Sequence, residues 1–307
     1  MNMTGKSARI NEQSADVYTD QATDGTSSDK PNSVTKASME KPQPSLIERL
    51  SALQLQSFFI GSLSLASGIV LWYLATEFNF NYFINFENVP SPQKVAGAFM
   101  IHLADPEFYI HISVSIRRIL IAYTIAVVLG VAIGVIVGRS KLARAAVLPY
   151  IEIIRPIPAV AWIPLAILMW PTEESSIVYI TFLGALFPII LNTLHGVEQT
   201  PDVLVRAARS LGASKFAVFW HVVLPAALPS IAAGLAIGMG ISWFSLLAGE
   251  IISGQYGIGY FTWDAYSLIN YPDIVVGMLV IGGLGTLSTY LIKLAMKPAL
   301  RWKEKQR

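Results

Sequence analysis

The sequence has no cysteine, which excludes disulfides, thiol catalysis and cysteine-held metal. It is also poor in charge. Asp, Glu, Lys and Arg make up 14% of its 307 residues, against about 25% in soluble globular chains. The formal net charge of +2 is too small to grip nucleic acid, and no nucleic-acid-binding signature occurs. Four histidines (His102, His111, His195 and His221) show no HExxH or other metal-ligand spacing. A GxxxxGK[ST] run is missing, so nothing here can cradle the phosphates of ATP. GxSxG and paired intramembrane aspartates are missing too, which argues against an intramembrane enzyme.

What the chain has in plenty is apolar surface, with 53% hydrophobic residues and a mean hydropathy of +0.53. Residues 1–45 stand apart, being rich in Ser, Thr, Asp, Asn and Lys. Such a segment cannot bury enough apolar surface to offset its ordering entropy, so it is expected to be a disordered cytoplasmic tail. A short stretch, 45–55, reads as an amphipathic helix at the membrane surface.

Beyond it, uncharged apolar runs recur, and a span needs about 20 residues to cross about 30 Å of hydrocarbon. The expected transmembrane domain is 46–307, with spans near 57–76, 114–138, 147–170, 176–195, 226–250 and 273–293. The third run holds Glu152, Arg155 and several prolines, which predicts a kink. Six spans place the N-terminus and C-terminus on one side.

Lys and Arg assign that side. With the N-terminus in the cytoplasm, the inner connections hold Arg139, Lys141, Arg144, Arg206, Arg209 and Lys215. The C-terminal tail adds Lys293, Lys297, Arg301, Lys303, Lys305 and Arg307. The outer side has Lys94 alone, apart from Arg117 and Arg118, which are expected to snorkel near the outer interface. The predicted topology is N-in and C-in.

Gly130, Gly134 and Gly138 recur every four residues and so share one helix face. Gly234, Gly238 and Ala248/Gly249 repeat the device, and Gly277, Gly282 and Gly285 thin the last span. Small residues let helix backbones approach closely in lipid.

Between the fourth and fifth spans lies 196–225, mildly polar and facing the cytoplasm in this topology. Asp202 is a candidate N-cap. Gly212 then interrupts a short helix, as a left-handed Gly ends one. Ser214 is placed to cap a second helix, and Pro225 and Pro229 to open the next span. Two short angled helices would present a small-residue knob, suited either to another protein's cleft or to an ordinary interfacial loop.

The pattern Ala207-Ala208, Gly212 and Leu224-Pro225 resembles the EAA loop of ABC importer permease subunits. "SPQKV" at 91–95, "RPIPAVAWIPLAILMW" at 155–170, "FPIILNTLHGV" at 187–197 and "SWFSLLAGEIISGQYGIGY" at 242–260 resemble one subfamily. It comprises binding-protein-dependent permeases for nitrate, bicarbonate, taurine and alkanesulfonates, and the likeness covers roughly 55–300. The resemblance implies an all-α integral membrane protein with the six-helix, type I importer (MetI-like) bundle. It also implies a coupling loop in which Arg206, Ala207, Ala208, Leu211, Gly212, Leu224 and Pro225 dock an ATP-binding subunit. Arg206 stands where the family usually has Glu, so the charge of that contact is inverted.

The same resemblance implies several partners: two ATP-binding subunits, an extracytoplasmic substrate-binding protein and a second permease copy or a relative. No cofactor is expected on this chain, because ATP and Mg²⁺ belong to the partner ATPase. The setting is the inner membrane of a prokaryote, and nucleic acid has no place in it. "LHGV" and "SGQYGIGY" tilt the expected cargo towards a sulfonate. Residues proposed for the translocation pathway are Arg155, Pro158, Trp162, Asn192, Trp243, Ser245 and Glu250. Arg155 has two readings: attraction of an anion, or pairing with Glu152 one turn earlier. The competing function is a self-contained secondary transporter or channel, but no internal repeat of the kind such proteins carry is visible.

Overall fold

The computed structural model describes residues 46–78 and 86–300, and among these every regular element is helical. The polar tail 1–45 and the last seven residues lie outside the described residues. The chain divides into two units, 1–59 and 60–307. In the first, the described backbone is helical from Leu46, and the rings of Phe58 and Phe59 meet edge to face. The helix there is part of α1 (Leu46–Glu77), so the expected surface helix is not a separate element.

In the second unit, no residue of 60–77 is buried. An apolar helix exposed over most of its length belongs in lipid. A short helix, α2 (Pro92–His102), leads to α3 (Pro106–Arg139), which Asp105 caps by accepting the Glu107 N–H at 2.9 Å. Next come α4 (Lys141–Ile154) and α5 (Ile163–Met169), then α6 (Glu173–Glu198), which opens on a Thr172/Ser175 capping box. After α7 (Asp202–Ser210) and α8 (Lys215–Val218), the long α9 (Leu224–Ser253) precedes α10 (Ile258–Ser267) and α11 (Tyr271–Met296). Among the described residues, five helices are long and apolar enough to cross a membrane, or six if the bent pair α4–α5 is one span.

The third predicted run is therefore not one kinked helix. Lys141–Ile154 and Ala159–Met169 meet at 87°. Pro156 and Pro158 supply no N–H to carry the helical ladder across the break. The two ends of this pair lie at opposite ends of α6. Arg144 pairs with Glu198 at the end of α6. At its start, the Ser176 hydroxyl donates to the Ala166 carbonyl at 3.1 Å.

The core is α6 packed between α3 and α9. A Cβ at Gly130, Gly134 or Gly138 would stand 2.6–2.8 Å from Ile189, Thr193 or Val197 of α6. Val197 and Ile189 are buried, so the α3 stripe is the surface onto which α6 is pressed. Gly234 of α9 stands in the same way against Asn192, and Gly196 of α6 against Ser230. In the last span Gly277 stands against Thr262 of α10 and Gly285 beside Trp243 of α9, but Gly282 has open space around it and thins no contact among the described residues.

Candidate functional site

Two places gather the residues singled out by sequence. The first is a cleft of about 310 Å³ at the α4–α5 break, closed on its other walls by the middles of α6 and α9. Arg155, Pro158, Trp162 and Ser245 all line it. Arg155 follows the last turn of α4 and is exposed; among the described residues it makes no ion pair, so Glu152 does not neutralise it. Ser245 is 1% exposed and its hydroxyl has no hydrogen-bond partner among the described residues. Gly184 makes room for that hydroxyl, because a Cβ there would overlap Ser245. The rest of the lining is apolar, from Leu183, Phe187, Leu191, Ile241 and Phe244. A lone cation in an apolar wall is suited to attract an anion without holding it tightly.

The other three predicted pathway residues do not line this cleft. Asn192 turns its amide back to the Pro188 carbonyl at 2.8 Å, one turn earlier on the same helix. Trp243 is buried in the core, and its indole N–H donates to Ser288 at 2.8 Å, tying α9 to α11.

Glu250 belongs to a buried polar cluster that the sequence reading did not foresee. Arg118 donates to Glu250 at 3.0 Å and to Glu174 at 2.7 Å and 2.9 Å, and also reaches the Tyr256 carbonyl at 2.6 Å. Ser115 donates to Glu250 at 2.8 Å. Arg118 is 5% exposed and so does not snorkel; only Arg117, paired with Glu174, stays at the surface. The start of α10 is satisfied by the same cluster. Gly257, Ile258 and Gly259 give their N–H groups to His111, Ser115 and Glu250 respectively. Glu250 thus fixes α10 to α3 and α9, a structural task.

The second place is the α7–α8 knob. Pro201, not Asp202, precedes the first helical residue of α7. Its other end closes in a Schellman motif: Ala213 N–H donates to Ala208 C=O, Gly212 N–H to Arg209 C=O, and Gly212 has φ +85°. Ser214 then caps α8 by accepting the Ala217 N–H at 3.2 Å. The backbone continues into α9 through a π-helical turn, Phe219–Val223, just before Pro225, which has no N–H to donate. The second knob helix and the following span are therefore one 38-residue rod, Lys215–Ile252, where two separate helices were expected.

Ala208 and Val205 pack inward on Val197, Val218, Val223 and Ala227, with Leu224 beside them. Pro225 is half-buried at the same base. Arg206, Ala207 and Gly212 face outward, and Leu211 is 89% exposed. Val203, Leu204 and Phe216 add further exposed apolar surface that the small-residue pattern did not reveal. The knob is held by its base and presents an apolar, basic outer face.

The family of binding-protein-dependent transport system inner membrane components matches residues 126–301. The chain belongs to that family. This permease is 34% identical over 209 residues to the nitrate import permease protein NrtB of Synechocystis sp., covering 65% of this chain and 76% of the relative. It is 32% identical over 219 residues to the taurine transport system permease protein TauC of Escherichia coli, covering 69% and 78%. With the bicarbonate transport system permease protein CmpB of Synechococcus elongatus it shares 37% over 174 residues, 56% of this chain and 63% of that one. Among solved structures, a chain of the MetNI methionine ABC transporter in an inward-facing conformation superposes with a TM-score of 0.50. At 21% identity, covering 64% of this chain and 98% of that one, it supports the fold alone.

The permease is thus the multi-pass membrane component of an ABC importer, with the MetI-like type I fold. It works with a substrate-binding protein and an ATPase, and ATP is hydrolysed in that separate subunit. A self-contained transporter or channel is set aside by this membership.

Proposed function

We propose that two copies of this permease, in the inner membrane of a prokaryote, pass a small oxyanion along a path that includes the Arg155 cleft. The observation that carries the reading is the position of Arg155, unpaired among the described residues in a mainly apolar cleft that a broken helix forms with α6 and α9. Irregular backbone is tolerated within a membrane where it lines a cavity, and a charge there marks a solute path. In this reading the chain has six spans, N-in and C-in: the α4–α5 pair, which begins and ends at opposite ends of α6, supports the sixth span, and the Lys and Arg of the inner connections support the orientation.

The cargo class follows from the same cation. Nitrate, bicarbonate and taurine permeases resemble this chain at 32–37% identity, so the group shared by their solutes, a compact oxyanion, is the class proposed here. The earlier tilt towards sulfonates has no separate support in the cleft. The α7–α8 knob docks one ATPase subunit on each permease copy, through Leu211, Gly212, Ala207 and Arg206, while Ala208, Leu224 and Pro225 hold it from beneath. ATP and Mg²⁺ bind in that ATPase, and no cofactor binds here.

The test is transport by the reconstituted importer with its own binding protein and ATPase. Arg155→Gln is expected to lower the import rate at least tenfold while the complex still assembles. Unchanged import by a normally assembled Arg155→Gln complex would remove the cleft from the path. Assaying the binding protein against taurine, alkanesulfonates, nitrate and bicarbonate identifies the cargo within the class.

A further inference from the structure

At the end of the bundle where α3 turns into α4 there is a second, polar cavity, unrelated to the Arg155 cleft. It measures about 530 Å³ and lies between α3, α4, α6 and the start of α7. Three cations line it: Arg139, Lys141 and Arg144. Two carboxylates, Glu198 and Asp202, are also present, and Arg144 is engaged with Glu198. Arg139 and Lys141 are exposed, and among the described residues neither makes an ion pair. Thr200 lines the same cavity, is 8% exposed, and its hydroxyl has no hydrogen-bond partner.

The surroundings say what kind of ligand this is. Lys141 and Arg144 also line an adjoining groove of about 330 Å³ that runs along α4 past Ala145, Leu148 and Pro149. The groove is mainly apolar, and Ala145 and Pro149 are exposed within it. Two free cations in a polar chamber, joined to an apolar furrow along α4, match a molecule with an anionic head and a hydrocarbon tail. A free phosphate would use the chamber and leave the furrow without a role.

We propose that this chamber binds the headgroup of an anionic phospholipid, with Arg139 and Lys141 on its phosphate and one acyl chain along α4. The amino end of α4 adds favourable partial charge for the phosphate. The lipid would bridge α3, α4 and the start of α7, the helix that carries the ATPase knob. The proposal needs only that this end of the bundle meets the membrane surface, and it stands or falls separately from the anion path.

The experiment uses the intact permease–ATPase complex, delipidated in detergent and titrated with phosphatidylglycerol or with phosphatidylcholine of the same chains. Native mass spectrometry counts the lipid retained. Phosphatidylglycerol should bind at least about tenfold tighter, given about 1 kcal/mol for each basic side chain at a lipid surface. The double variant Arg139→Gln/Lys141→Gln should lose that preference, whereas Lys293→Gln, an exposed cation on α11, should keep it.

A third variant, Ala145→Trp, fills the furrow and leaves both cations in place. It should weaken phosphatidylglycerol binding as well, and it decides the matter if the double variant does not assemble. Equal binding of the two lipids would overturn the proposal, and so would an equal loss in Lys293→Gln. Displacement of the lipid by millimolar inorganic phosphate, with Ala145→Trp behaving as the parent, would assign the chamber to a free anion and likewise overturn it.

Discussion

Arg118 and Glu250, 132 residues apart in the chain, meet at 3.0 Å in a site where both are at least 95% buried. The pair is one bond in a cluster that joins α3, α6 and α9 and, through three backbone N–H groups, α10. Removing one member of a buried ion pair leaves the other without compensation, at about 3–5 kcal/mol. Arg118→Ala leaves the buried Glu250 without its cation, while Glu174 keeps Arg117, and is expected to approach that figure. Glu250→Gln leaves Arg118 its bonds to Glu174 and keeps an acceptor for the Gly259 N–H, so its loss should be clearly smaller. Thermal unfolding of the purified complex measures the order, and a reversed order would mean that Arg118 is not the centre of the cluster.

Two glycines with positive φ separate strain from crowding. Gly212 has φ +85° and open space where a Cβ would go, whereas Gly257 has φ +119° and the Glu250 carboxylate in that place. Gly212→Ala should therefore cost only the left-handed penalty, about 1–2 kcal/mol. Gly257→Ala adds a collision with the acid that caps α10 and should destabilise the chain more. Comparing unfolding midpoints checks this, and hydrogen exchange at 257–260 should rise in the second variant alone.

The helical bundle was readable because its signals are local. Gly130, Gly134 and Gly138 share a face by their spacing alone, and the structure sets that face against Ile189, Thr193 and Val197. The Schellman ending at Gly212 is likewise encoded within six residues. Arg118 was not readable in this way, because its partners lie 56 and 132 positions away. A charged residue near a span end looks like an interface anchor until the acids of other helices are brought to it. Glu250 was misplaced for the same reason. Pro156 and Pro158 announced a break, but the angle of 87° depends on how α4 and α5 pack against α6. Local signals also missed the outer face of the knob, since exposure of Val203, Leu204 and Phe216 depends on which side of α7–α8 meets the core.

Ser245 carries a prediction about the cleft. Its hydroxyl is buried and unpaired, so it contributes no hydrogen bond to the fold. Replacing such a group with a methyl is close to neutral for stability. Ser245→Ala should thus assemble and unfold like the parent, yet import more slowly at low solute if the hydroxyl meets the passing anion. Gly184→Ala, which pushes a Cβ into Ser245, should impair both packing and import. Import kinetics and unfolding midpoints together distinguish the two effects; unchanged kinetics in Ser245→Ala would make the hydroxyl a bystander.

The outer face of the knob yields the last prediction. Leu211 is 89% exposed, so nothing in this chain depends on its side chain. Exposed substitutions of that kind usually change stability by no more than about 0.5 kcal/mol. If Leu211 is buried against the ATPase, it contributes about 1.5–3 kcal/mol there, equivalent to a factor of about 10 to 150 in affinity. Leu211→Asp is therefore expected to insert and unfold normally while losing most of its co-purifying ATPase. Arg206 is exposed on α7, just before Leu211, and makes no ion pair among the described residues, so its charge is free to meet an acidic partner. Arg206→Glu should weaken assembly at low salt and differ little from the parent at high salt, because screening removes an exposed charge contact. Stronger assembly of Arg206→Glu would show that the partner surface is basic and that the inverted charge at this position is tolerated, not used.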